Sequence, residues 1–440
     1  MTTPEDRLIP DSRGASRRIT SIDVFRGLTI LLMVFVNDLG PHSPAWLRHI
    51  QPSDADGMTV ADIVFPFFLF VAGVSIPLAV ERSRSAGQSS LRILLHVLAR
   101  TGGLLVMGLI GVNRQDHTSF DFRIWGVAAY VFVLMAWCRV PRKPGRQRRV
   151  FLILKAVGVV GLVTVLSTFR RSPIDTSIIG YGEVRQWVWL CSQWWGILGL
   201  IAWAYLMASL LYLLAGRRRE WLVAGTAMLM SMFVISQNGG FFSRLDSKPW
   251  LTGFMPALNW LQRIVDTVGQ YVDIGTQLGS LAAVVCCGAV MGSILLPDSD
   301  VQTVKQRVRW AFGYAALLFA AGCFTDTFAG VNKIQATPTW CFWCCSLAVV
   351  TWIPLYVVID VTGWRRWSVP VRITGENPLI AYLLHPIILY VVGLAGIGEA
   401  VRGYSASESA PTVIVGSAVM AAVVSMLTIV LSRIGFRIRI

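Results

Sequence analysis

Charge is what this sequence has least of. Of its 440 residues only 14% are Asp, Glu, Lys or Arg, and 55% are apolar, whereas a soluble domain carries about a quarter charged residues. That balance argues against a soluble single-core enzyme and excludes a disordered chain. Cysteine is also scarce, with 8 residues. Cys286, Cys287, Cys323, Cys341, Cys344 and Cys345 all fall inside apolar runs, where they read as small buried hydrophobes. No His or acid lies close to Cys341, Cys344 and Cys345, so no metal is expected. Several motifs are absent from the sequence: a Walker A run, a G-x-G-x-x-G after a strand, an H-E-x-x-H and a G-x-S-x-G. Their absence speaks against an ATP-driven pump, a dinucleotide enzyme, a zincin and an α/β-hydrolase. Residues 1–18 are polar, and the first apolar run has no small-residue cleavage pattern after it, so no cleavable signal peptide is expected.

Long apolar runs are abundant, and the mean hydropathy is +0.60. A helix needs about 20 mostly apolar residues to span a bilayer. Twelve candidates meet or approach that length: 22–38, 60–80, 92–111, 123–138, 150–168, 196–215, 221–236, 277–296, 307–326, 339–360, 376–396 and 411–433. The expected fold is all-α, a polytopic membrane helical bundle of about twelve transmembrane helices. The net charge of +15 would suggest a nucleic-acid partner in a soluble domain. Here the basic residues punctuate the spans, as in the run Arg139, Arg142, Lys143, Arg146, Arg148 and Arg149. They concentrate in every second connection, which predicts both termini on the cytoplasmic side and no nucleic acid. The opposite side then carries the long segments 40–59, 169–195 and 237–276, and long loops are usually functional.

Chemistry-bearing residues are densest in the first hundred positions. Asp23 and Arg26 lie three apart on one helix face; they read either as a cap with a basic anchor or as an inward anion site. Asn37-Asp38 ends the first run, and His42, His49, Asp54 and Asp56 occupy the loop that follows. His49 suits proton transfer near neutral pH or transient acylation. Asn37 suits a supporting role beside a developing oxyanion. Asp62 is either a helix N-terminal acid or a charge facing a cavity, and Pro66 and Pro77 are expected to break the hydrogen-bond ladder of its span. Downstream, Gly330-Val331-Asn332-Lys333 offers a point charge for phosphate or carboxylate. Gly375-Glu376-Asn377-Pro378 opens a span that contains His385, with Glu376 read as a capping acid.

The blocks "DVFRGLTILLMVFVN" and "GMTVADIVFPFFLFVAGVSIPL" resemble the membrane acetyltransferases related to heparan-α-glucosaminide N-acetyltransferase. The stretches "GVNKIQATPTW", "VVIDVTGW" and "GENPLIAYLLH" continue the likeness. The resemblance implies one transmembrane acyltransferase domain over 1–440, with an inserted helix pair at about 113–190. It puts the catalytic role on His49 with Asn37 in support, and His42 is a rival in the same loop. Acetyl-CoA is the implied donor, and an amino sugar or sugar hydroxyl is the acceptor. Asp23, Arg26, Asp62, Asn332, Lys333, Glu376, Asn377 and His385 are candidates for binding either one. Expected partners are the lipid bilayer, an acyl-CoA and a carbohydrate; a homodimer is compatible with this reading. The expected location is a bacterial inner membrane. Tryptophans 46, 187, 194, 195, 250 and 260 suit sugar stacking or an interfacial belt. A sugar permease is the rival reading, and it would shift importance to His385.

Overall fold

A long apolar segment that meets no water satisfies its backbone polar groups internally, and helices do this within one segment. The computed structural model describes residues 19–50, 55–113, 121–170, 189–238, 241 and 254–438, and it is built from helices. These are α1 (Thr20–Asp38), α2 (Val60–Ser85), α3 (Ser90–Asn113), α4 (Phe122–Ala136), α5 (Arg146–Ser167), α6 (Gly196–Ala215) and α7 (Arg219–Gln237). They continue with α8 (Met255–Gly269), α9 (Leu281–Ser293), α10 (Val304–Ala329) and α11 (Pro338–Tyr356). The last are α12 (Val369–Glu376), α13 (Pro378–Leu394), α14 (Gly398–Arg402) and α15 (Ala410–Arg433). Among the described residues there is no strand, only an isolated bridge between Cys138 and Ile438.

Among the described residues, ten segments are long and apolar enough to cross a membrane, or eleven if the bent pair Arg366–Glu376 and Pro378–Leu394 forms one span. Phe122–Ala136 is a shorter apolar helix. Each of the twelve runs identified in the sequence falls on a helix, and the protein is a polytopic helical membrane protein.

Three local expectations are corrected. The 376–396 run begins with a 77° bend. Pro378 has no N–H to continue a ladder, and Asn377 leaves helical geometry at φ −132° and ψ 54°. Glu376 therefore ends α12 instead of capping the start of the next helix. Segment 237–276 contains a helix of its own, α8. Cys323 is exposed, unlike the buried Cys286, Cys287, Cys341, Cys344 and Cys345. Helix α2 continues through Pro66 and Pro77, which have no N–H to give its ladder.

The chain divides into two compact units. Residues 1–29, 45–98 and 203–372 form the first. Its centre is the pairing of α2 with α9, which meet backbone to backbone. A Cβ on Gly73 would stand 1.9 Å from the Val285 carbonyl oxygen, and one on Gly288 would stand 2.0 Å from that of Phe70. Small residues at such crossings permit dispersion contacts that larger ones block. Gly288→Val is expected to force α2 and α9 apart and to cost ~1–3 kcal/mol or more as overpacking. A thermal melt in detergent would read this, and an unchanged midpoint would refute the close packing. At the other end of α2, buried Glu81 accepts from Arg84 at 2.8 Å, from Arg217 at 2.8 Å and from the Tyr212 hydroxyl at 3.2 Å.

Residues 30–44, 99–202 and 373–440 form the second unit. Here α4 and α5, the proposed insertion, pack as a hairpin. Trp125 Nε1 donates to the Val165 carbonyl at 3.0 Å, and Gly158 lies directly against the backbone of Ala136. Residues 114–120 and 171–188 of that insertion lie outside the described residues. Helix α4 also meets α13, where Phe122 and Tyr390 pack edge to face at 5.9 Å.

Candidate functional site

The first turn of α2 builds a carboxylate site. Asp62 is fully buried. Its Oδ2 accepts the backbone N–H of Thr59 at 3.0 Å and that of Ile50 at 3.3 Å. Its Oδ1 lies 2.9 Å from His49 Nδ1. The positive end of the helix dipole favours a negative charge at this position. The His49 side chain keeps 37% of its surface exposed, so one edge of the ring meets Asp62 while much of the ring remains open.

Lys333 reaches the same point from far along the chain. Its Nζ lies 2.7 Å from His49 Nδ1, 3.3 Å from His49 Nε2 and 3.5 Å from Asp62 Oδ1. Two loops tied together put it there. Gly57 N–H donates to the Val331 carbonyl at 2.7 Å, and Asp56 Oδ1 accepts the Val331 N–H at 2.7 Å. Asn332 Nδ2 donates to the Ala55 carbonyl at 2.8 Å, and its Oδ1 accepts from Gln335 N–H at 2.9 Å. Asn332 thus has its amide engaged in joining the loops. All these residues belong to the first unit.

His49 Nδ1 holds either a proton or a lone pair. With a proton it donates to Asp62, and Nε2 carries the lone pair. When the Lys333 ammonium donates to Nδ1 instead, the proton sits on Nε2. The tautomer of His49 is therefore tied to the charge on Lys333. Burial pulls the Lys333 ammonium below the ordinary lysine range, against the opposing attraction of Asp62.

The other candidates are distributed elsewhere. Asp23 pairs with Arg26 at 3.2 Å, and Arg26 also donates to the Ser75 hydroxyl. The start of α1 is capped by Asp360, whose carboxylate accepts the N–H groups of Thr20 at 3.0 Å and Ser21 at 2.9 Å. Asn37 is exposed at the end of α1. His42 is exposed too, in the second unit. Asn377 donates to the Ser432 hydroxyl at 2.9 Å, next to Glu376 at the bend. Asp54, Trp187 and Trp250 lie outside the described residues.

His385 belongs to a cluster in the second unit that sequence reasoning missed. Asp38, fully buried, faces His385 Nε2 at 3.3 Å and Arg402 at 3.5 Å, and it accepts from the Tyr404 hydroxyl. Burial and the Asp38 carboxylate push the Tyr404 phenol above its ordinary range. The available signal was an acid at the end of one apolar run and a histidine inside another, since ionisable groups in spans tend to pair.

Residues 18–245 match a family model described as "Domain of unknown function (DUF5009)". Two curated proteins are similar over most of the chain. Heparan-alpha-glucosaminide N-acetyltransferase of Mus musculus is 25% identical over 393 residues, covering 86% of this chain and 54% of the relative. The Homo sapiens protein of the same name is 24% identical over 385 residues, covering 84% and 53%. The chain spans about half the length of these relatives.

Proposed function

This chain belongs to the DUF5009 family, a domain of unknown function, and we propose that it is a membrane acetyltransferase with His49 at its centre. Its donor is acetyl-CoA, and its acceptor is an amino sugar or sugar hydroxyl on the non-cytoplasmic side. The observation that carries this reading is the half-exposed imidazole of His49, backed by the buried Asp62 carboxylate at 2.9 Å with the Lys333 amine at 2.7 Å. The names of the two relatives support the reaction class.

The chemistry follows from the proton positions. With Nδ1–H held by Asp62, Nε2 takes the proton from the acceptor as its nitrogen or oxygen attacks the thioester carbon. The carbon–sulfur bond breaks, and the CoA thiolate leaves and collects a proton. In a two-step route Nε2 attacks first, giving an acetyl-imidazole that the acceptor then resolves. Asn37 is proposed as the support for His49. Candidate contacts for donor or acceptor are Asp23, Arg26, Asn332, Glu376, Asn377 and His385.

The test is transfer of labelled acetyl from acetyl-CoA to a panel of amino sugars by purified protein. No transfer and no donor binding in a well-folded sample would overturn the reading. The buried Asp38–His385 pair favours one alternative, a sugar permease, since paired ionisable groups within spans also mark transport paths. Flux in liposomes without CoA would identify it.

Lys333 gives the expected pH behaviour. Its depressed pKa means that the neutral amine, and with it the basic Nε2 tautomer of His49, appears at lower pH than for an ordinary lysine. Transfer is expected to rise with pH through that titration. Lys333→Arg keeps a cation beside Nδ1 and is expected to abolish the rise; Lys333→Met is expected to hold the rate at its upper level. A rise in kcat that survives Lys333→Arg would refute the coupling.

A further inference from the structure

Helix α8 has no buried residue, although it belongs to a membrane protein whose other long helices bury part of their surface. Its residues sort onto three sides. Met255, Leu258, Gln262 and Val265 are partly covered. Asn259, Arg263, Asp266 and Gln270 form an exposed polar side. Ala257, Trp260, Leu261, Ile264, Val268 and Tyr271 form an exposed apolar side. At 100° per residue the exposed apolar positions fill an arc of roughly 100°, and the partly covered apolar positions widen it to roughly 220°. The exposure is substantial: 62% for Trp260, 41% for Ile264 and 38% for Val268.

The connections of α8 fix where this apolar side lies. Val272, three residues beyond the helix, is 4% exposed. Asp273 Oδ1 then accepts the Thr276 N–H at 2.8 Å, at the start of the Thr276–Ser293 span. Gly275 stands against the last turn of α7, where a Cβ would come within 1.9 Å of Ser236 Oγ. Ile235 in that same turn is 41% exposed. The chain thus returns from α8 to the place where α7 ends and the Thr276–Ser293 span begins.

We propose that α8 is an interfacial membrane helix, lying in the plane of the bilayer surface with its Trp260–Ile264–Val268 side in the acyl boundary. The polar side faces water, and the partly covered side faces the protein. Trp260 and Tyr271 carry the amphipathic rings that concentrate at this depth. The helix bears one Arg and one Asp, Arg263 and Asp266, so it has no net charge. Binding therefore depends on apolar insertion and not on attraction to anionic headgroups, which distinguishes α8 from basic surface-seeking helices.

The full chain in lipid nanodiscs tests this. A benzophenone amino acid replaces Ile264, Val268 or Asn259 in turn, all exposed positions. After irradiation, intact-mass analysis should find phospholipid adducts for positions 264 and 268 and not for 259. Their yield should be the same in phosphatidylcholine alone as with phosphatidylglycerol added. A covalent dimer at 264 would show that a second copy covers this face and would overturn the proposal. Equal lipid adducts at all three positions, or none at any, would overturn it as well. So would adducts that need the anionic lipid.

Discussion

Purified protein carrying His49→Ala is expected to lose the proposed acetyl transfer by on the order of 10²–10⁴-fold, the contribution of a positioned acid–base side chain. Its thermal midpoint is expected to stay close to that of the parent, because His49 lies on a loop and keeps 37% of its side chain exposed. The companion substitution Asp62→Asn acts through the imidazole. It removes the charge that favours an imidazolium during proton transfer, and it offers Nδ1 an amide in place of a carboxylate. The expected signature is a fall in kcat with the KM for donor nearly unchanged. Trapping the enzyme with labelled acetyl-CoA and no acceptor separates the two routes. Label bound to the parent and lost with His49→Ala marks an acetyl-imidazole. Transfer with no enzyme-bound label at any time marks direct attack. A His49→Ala protein that still transfers at the parental rate would end the proposal that His49 does this chemistry.

The spans were legible because run length and composition decide them in lipid, and these are properties of contiguous residues. Helix α8 was not, since a third of its positions are polar and its 15 residues are too few to span. The bend at Asn377-Pro378 was only partly legible. Pro378 signals a helix start, but the preceding helix Val369–Glu376 has only eight residues and mixes apolar with polar ones. The site shows a sharper division. Asp62 and His49 are 13 positions apart, with a capping acid at one end and a loop imidazole at the other. Lys333 is 284 positions from His49, and no periodicity links them. Their proximity depends on Asp56 and Asn332, short polar residues that read as ordinary loop chemistry until their backbone partners are known. Such loop-to-loop ties leave no mark on composition. For the same reason Asn37 drew attention while the neighbouring Asp38, which is fully buried, did not.

Asp38→Ala is expected to destabilise the protein by ~3–5 kcal/mol, the cost of breaking a buried charge group by removing one partner. Asp38 closes α1 at the negative end of its dipole, where a carboxylate is disfavoured unless cations or donors face it. Arg402 at 3.5 Å, His385 at 3.3 Å and the Tyr404 hydroxyl supply them. The surrounding chain is close enough that little can fill the gap. A Cβ on Gly40 would stand 1.7 Å from the Ser405 carbonyl oxygen, so the segment after α1 lies directly on the turn that carries Tyr404. Asp38→Asn should cost less, because an amide oxygen still accepts from Tyr404, but it cannot balance Arg402. Asn37→Ala, one position away and exposed, should leave the melting midpoint unchanged, so any loss of transfer it causes reports on chemistry and not on folding. Thermal melts of the three variants in one detergent give the ordering. If Asp38→Ala melts no earlier than Asn37→Ala, the cluster contributes nothing to stability. Burial of an acid with three partners would then have to be explained by function, which would return His385 to the centre of the transport alternative.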